Sequence, residues 1–303
     1  MKFFELIPAN LEFDFLKWSK PFVLFSTVAA LAAGVALVKP GLNYGIDFTG
    51  GAQVHVQVPS DWETTPIREA LAAQKIDAEV VRLGEAKDGE FLVKVQAKPE
   101  ELSTVSSNVL KALEIRANGQ KVEVKRTDIV GPKAGSTLRR QALLAIFYAL
   151  LAISVYIGFR FDMRYAPGVL RALLVDVMTT LGIWVLFRFE FNLTVLASIL
   201  TIAGYSCNDT IVIYDRIRDL MRMHPNWEIE KIVNFATNQN LGRTVLTTLC
   251  TLLTVVSLFV LGGPVLRDFA LPLLIGFTVS IPSTLFVATP LIVTMEKRRL
   301  ARL

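Results

Sequence analysis

The chain has 303 residues, of which 52% are hydrophobic and 19% charged, with a mean hydropathy of +0.47 and a net charge of +5. That is too apolar for one water-soluble domain, and it excludes a disordered chain, a nucleic-acid-binding tail protein and a disulfide scaffold. Of the 59 charged residues, 29 fall between Lys39 and Arg140, so the chain has two solvents: water around that segment and lipid around the rest. Cys207 and Cys250 both lie in apolar runs, and no disulfide is expected.

The first element is an apolar run from Pro21 to Val38, long enough to cross a membrane. Its length, and a leader mixing Glu5, Glu12 and Asp14 with Lys2, Lys17 and Lys20, fit an uncleaved signal anchor better than a signal peptide. Ala52 to Val58 then alternates apolar and polar residues, as a half-buried strand does. Thr64 or Thr65 caps a helix that has Pro66 at its first position and runs to Gln74. Ala78 to Gly84 and Glu90 to Gln96 read as strands around a turn at Asp88-Gly89. Pro99 to Ala117 reads as a helix ended by Gly119, and Gln120 to Val130 as a fourth strand. The order β-α-β-β-α-β predicts an α+β, ferredoxin-like domain, a scaffold that carries no chemistry of its own. His55 sits on the polar side of its strand with no second ligand nearby, so it reads as a surface residue, and neither metal nor cofactor is expected.

Five further apolar runs follow: Gln141 to Phe159, Gly168 to Phe187, Asn192 to Tyr214, Thr244 to Leu266 and Phe269 to Met295. Pro272, Pro282 and Pro290 predict kinks in the last, tolerated where neighbouring helices re-satisfy the freed carbonyls. Lys and Arg concentrate before the first run, after the second and fourth, and at the chain end, while the alternate short loops hold only Arg188 and Arg267. The positive-inside rule then places both termini in the cytoplasm and the polar segment outside it. The expected division is 1–38 (cytoplasmic N-terminus and first helix), 39–138 (extracytoplasmic domain) and 139–303 (five-helix bundle with a cytoplasmic C-terminus). The junctions are Asn43 to Gly51 and Val130 to Ala142.

Ionisable residues inside membrane spans are functional by default. Asp209, in AGYSCNDTIVIYDRIR, is the first candidate. Hydrocarbon disfavours its charged form, so it can hold a proton, whereas an adjacent guanidinium favours its release. Arg243 is expected to open the fifth helix on the same membrane side, after a connection of about thirty residues, and to supply that fixed charge. The structural alternatives are an Arg243 that snorkels to headgroups and an Asp209 that only ties helices together. Asp176 on the third helix is a lesser candidate, divided evenly between proton handling and structural pairing. Ser206, Asn208 and Thr210 flank Asp209 and could polarise it or bond across helices. One charge crossing the membrane yields roughly 2.3 kcal/mol per 100 mV, enough to tilt a two-state packing and move the outer domain.

These residues resemble the SecF subunits of the SecD–SecF protein-export family, itself similar to the resistance-nodulation-division transporters. The matching pieces are YGIDFTGG, VGPKAG, GYSCNDTIVIYDRIR, NLGRTVLTTL and GGPVLRDFALPLLIG, in order over nearly the whole chain. The family pattern has a His where Val175 stands, which weakens a proton role for Asp176, and GTYSS where Ser280 to Thr284 reads SIPST. The resemblance implies a six-helix half of a transporter-like core in the bacterial cytoplasmic (inner) membrane, with Asp209 and Arg243 on a proton pathway. It implies protein export driven by the proton-motive force, without enzymatic catalysis and with H⁺ as coupling ion, Na⁺ being the other option. It implies a SecD-like subunit, a SecYEG-type channel, other translocon accessory subunits and a translocating polypeptide as partners. Two rival readings are a proton-driven exporter of small molecules and a passive assembly scaffold.

Overall fold

The computed structural model describes residues 13–83, 89–96, 102–160 and 166–300. Among them are six helices long and apolar enough to cross a membrane, and the chain is an integral membrane protein. They are α1 (Phe15–Val38), α5 (Pro132–Arg160), α6 (Ala166–Leu186), α7 (Leu193–Met223), α8 (Ile229–Leu261) and the last span. That last span is α9 (Gly263–Ser283), a π-turn (Thr284–Ala288) and α10 (Thr289–Leu300) in continuous succession.

Hydropathy located the spans but not their ends. A helix stops where its backbone is capped, and polar turns stay helical after leaving the apolar run. Thus α1 starts at Phe15, because Asp14 Oδ1 accepts from the Leu16 and Lys17 amides and caps it. The expected division at 138/139 falls inside α5, which begins at Pro132. The expected thirty-residue connection between the fourth and fifth helices shrinks to residues 224–228, because α7 runs on to Met223 and α8 begins at Ile229. No proline interrupts IVNFATNQNLGR, and its single glycine, Gly242, does not end the helix. Ile229, Ile232, Val233 and Ala236 bury one face of it, and the Asn240 amide donates to the Ala236 carbonyl. Arg243 therefore lies mid-helix and does not open it.

The bundle interior is α6, α7 and the α9–α10 span, each more than half buried, whereas α1, α5 and α8 are mostly exposed along their apolar lengths. α1 packs along α6 and on the π-turn, where the Phe22 and Phe286 rings stack 4.3 Å apart. The π-turn lies between Pro282 and Pro290, and Thr289 Oγ1 donates to the Leu285 carbonyl at 2.6 Å. Side-chain hydroxyls of this kind re-satisfy backbone carbonyls where prolines interrupt a membrane helix.

The polar segment builds a four-stranded antiparallel sheet from β2 (Gly51–Gln57), β3 (Ala78–Leu83), β4 (Glu90–Val95) and β5 (Glu123–Val130), in the order β3-β4-β2-β5. Two helices, α3 (Thr64–Ala73) and α4 (Val105–Ala117), cover one face. The period-2 reading holds: Ala52, Val54 and Val56 of β2 are wholly buried against Ile67, Phe91, Val93, Val109 and Leu113. Smaller corrections concern the helix starts. Glu63 is the N-cap of α3, so Pro66 is its third residue. Pro99 and Asp88 lie outside the described residues. His55 is partly covered and faces Glu90 at 3.3 Å.

Between α1 and the sheet come β1 (Asn43–Tyr44) and α2 (Ile46–Thr49). β1 pairs in parallel with β6 (Glu190–Phe191), on the connection between α6 and α7. Gly50 and Gly51 have φ of +83° and +155°. A Cβ on Gly50 would come within 2.9 Å of Pro132 Cα, and one on Gly51 within 2.6 Å of the Val95 carbonyl oxygen. Only glycine lets the sheet, α2 and the start of α5 meet there.

Candidate functional site

The polar residues of the spans gather inside the bundle. Asp176 on α6 is fully buried, and the hydroxyl of Ser206 on α7 donates to its Oδ2 at 2.5 Å. Ser283, at the end of α9, donates to the Ala172 carbonyl one turn back on α6 at 3.4 Å. Asp176 Oδ1 is buried and has no hydrogen-bond partner among the described residues.

Asp209 lies on α7 beyond Ser206 and is buried on the side that meets α8. Thr248 Oγ1 of α8 is 3.5 Å from its Oδ2, a long contact at the limit of a hydrogen bond. Thr210 Oγ1 donates to the Ser206 carbonyl at 3.1 Å and is 3.4 Å from Thr284 Oγ1 at the head of the π-turn. Hydroxyls of α7, α8, α9 and the π-turn thus cluster around the two carboxyls, Thr248 at Asp209 and Ser206 at Asp176, with the Thr210–Thr284 contact beside them. π-turns are frequent at functional sites because they re-aim a helix face, and here one presents Thr284 to Thr210.

This arrangement revises the sequence reading in four ways. Ser206 serves Asp176 and not Asp209. Asn208 is exposed, whereas both carboxyls are buried. Asp176, the lesser candidate, is the more deeply enclosed and the more closely bonded. Arg243 is exposed on the flank of α8 and not within ion-pair distance of Asp209. The sequence reading also missed Thr248, Ser283 and Thr284. The only signal for the last two was the clustering of hydroxyls around Pro282 in SIPST.

The SecD/SecF GG motif model matches residues 35–58, which include the glycine junction. The model for the C-terminal part of the protein export membrane proteins SecD/SecF matches residues 110–298. The chain belongs to the SecF family of protein translocase subunits. It is 40% identical over 288 residues to the protein translocase subunit SecF of Magnetococcus marinus, covering 94% of this chain and 92% of that one. With the SecF of Escherichia coli O157:H7 the identity is 36% over 292 residues, covering 95% and 89%. The crystal structure of SecDF, a translocon-associated membrane protein from Thermus thermophilus, superposes with a TM-score of 0.81 at 33% identity, covering 96% of this chain and 39% of that one. SecDF in its super-membrane-facing form gives 0.73 at 35% identity, covering 97% and 40%. This SecF-family chain therefore spans about two fifths of those solved SecDF chains.

Proposed function

We propose that this SecF-family subunit couples proton movement through its bundle to protein export, by shifting its outer sheet domain against the membrane helices. The observation that carries this is the pair of enclosed carboxyls, Asp176 and Asp209, each facing a hydroxyl from a neighbouring helix in a membrane-spanning core. Carboxyls with hydroxyl neighbours and no bonded cation can exchange a proton only as the helices that supply those hydroxyls rearrange, and that ties protonation to shape. H⁺ is the coupling ion of this reading, and Na⁺ in its place is an outcome of the test. No covalent chemistry is assigned.

A second half is part of the proposal. Asn208, Arg243 and Thr247 are exposed within the spans, where polar groups facing lipid are costly. A SecD-like subunit covering that face would enclose Arg243 next to Asp209, and SecDF neighbours in which such a chain is about two fifths of the whole support it. A SecYEG-type channel and a translocating polypeptide complete the assembly. The positive-inside pattern supports placement in the cytoplasmic membrane with both termini inside and the sheet outside. The β-α-β-β-α-β order and all-antiparallel pairing support a ferredoxin-like reading of that domain.

The deciding experiment is export driven by an imposed proton gradient in vesicles carrying the SecD-paired complex with Asp209→Asn. The expected result is loss of the proton-dependent fraction at unchanged expression, and a shift of that dependence from pH to Na⁺ identifies the other ion. Export at the wild-type level would favour a passive scaffold.

A further inference from the structure

The sheet domain leaves one face uncovered, and that face looks across a cleft of about 660 Å³ toward the outer end of the bundle. One polar bridge crosses it. Lys94 Nζ on β4 lies 2.5 Å from Glu190 Oε2 on β6, and the two side chains are only 11% and 19% exposed. Among the described residues this is the sole ion pair between sheet and bundle. Glu79 on β3 stands 3.7 Å from the same ammonium, and Asp268 of α9 adds its charge from the bundle side. A second cavity of about 170 Å³, beside Asn43 and Tyr44, shares Lys94 and Glu190 as walls, so the pair is a pillar between two clefts.

The pillar stands on the element that leads into α7. Glu190 and Phe191 form β6, which pairs with β1, and the Gly45 amide donates to the Phe191 carbonyl at 2.9 Å. Asn192 next caps α7, accepting from the Val195 amide and donating to Asp268 Oδ2 at 3.1 Å. The Leu193 amide donates to Asp47 Oδ2 at 2.9 Å. Sixteen residues further along α7 is Asp209, about 24 Å away at 1.5 Å per residue. Removing two charges from water gives a pair little net stability, but it fixes one geometry, because moving either partner alone exposes an unpaired buried charge.

We infer that Lys94 and Glu190 are positioning residues: they seat the sheet domain at one angle on the bundle and transmit that angle to the outer end of α7. The seat stands whether or not protons drive the bundle, and only its use in coupling rests on the function proposed above.

The test uses the full chain with its partner half and compares wild type with Lys94→Met and Glu190→Gln. Hydrogen exchange reads the Gly45 and Leu193 amides beside the sheet-core amides of Val54 and Val93. Spin labels at Glu114→Cys and Leu261→Cys, in a Cys250→Ser background, read the distance from sheet to bundle. The expected result is exchange at Gly45 and Leu193 about tenfold faster or more, a broadened label distance, and unchanged protection of Val54 and Val93. Two results would overturn the assignment. One is wild-type exchange and distance in both variants. The other is loss of protection throughout the sheet, which would make the pair a support of the domain's fold and not its seat. Wild-type export in variants whose domain has come loose would leave the seat intact and count against the coupling function alone.

Discussion

The two cores of this molecule are built on opposite principles. The sheet core, from Ala52 to Ala117, is apolar throughout, and its charges lie at its surface. Among the described residues every polar or charged residue that is buried as a whole belongs to the bundle, the part that faces lipid, while the sheet's Lys94 is covered where it meets Glu190. A water-exposed domain gains stability by moving apolar groups away from water. Helices in lipid have no such gradient to use and associate through close packing and hydrogen bonds. The bundle can therefore carry hydroxyls and carboxyls in its interior, and rearrange them, at a cost the sheet core could not tolerate.

The sharpest break of that contrast is Phe91→Ala. Phe91 is wholly buried in the sheet core, with the Arg82 guanidinium 5.0 Å from its ring centre. Truncation should cost about 3–5 kcal/mol. The loss should appear as faster hydrogen exchange in β2 to β5 with α6 and α7 unchanged, and loosening of both regions would show that the two cores are not independent. Ser206→Ala comes next. It leaves Asp176 Oδ2 without its 2.5 Å donor beside an Oδ1 that has no partner, at about 1–3 kcal/mol. Combining it with Asp176→Leu removes both polar partners and should recover most of that loss. Unfolding in mixed detergent measures both, and a double variant no more stable than the single would mean that Asp176 has other structural partners.

The sequence showed the spans and the strands because each rests on a local periodicity. Ala52, Val54 and Val56 alternate, and the apolar runs of the spans exceed the thickness of the hydrocarbon core. It could not show β1 and β6, two-residue strands paired across nearly 150 positions with no pattern of their own. Of the candidate site, Asp209 and Asp176 were legible as charges in apolar runs, but their partners were not. Ser206 is three residues from Asp209 in sequence, and packing of α6 on α7 gives it to Asp176. Arg243 was misplaced because the first half of α8 is too polar to register as span yet stays helical. The pairing of Asp209 with Arg243 rests on two charges expected at the same membrane side, and the SecF resemblance implies it as well. The single chain leaves that cation on an open flank, which is why a covering partner is part of the proposal.

The smallest expected effect contrasts the two ties that hold α1 and the sheet to the bundle. At the start of α1, the Asn234 amide donates to Asp14 Oδ1 at 2.8 Å, and this bond, with the Leu16 and Lys17 amides, holds the Asp14 carboxyl below its ordinary value of 3.8. A lowered acid stabilises the fold above its unfolded value and loses that contribution as pH falls through the folded one. At Lys94, burial opposes the ammonium, but Glu190 and then Glu79 outweigh it and hold the group above 10.5. While Glu190 stays ionised, the ammonium's contribution is complete below 10.5 and is lost as pH rises beyond it. Burial holds the Glu190 carboxyl above its ordinary 4.5, so falling pH should release the Lys94–Glu190 pair, with Gly45 and Leu193, before it frees the Leu16 and Lys17 amides held by Asp14. Asp14 is exposed, so its effect should stay within about 1 kcal/mol and weaken with salt. Asp14→Asn should abolish the acid step in exchange at Leu16 and Lys17. An acid step that survives in that variant would assign it to another carboxylate and remove Asp14 as the tie.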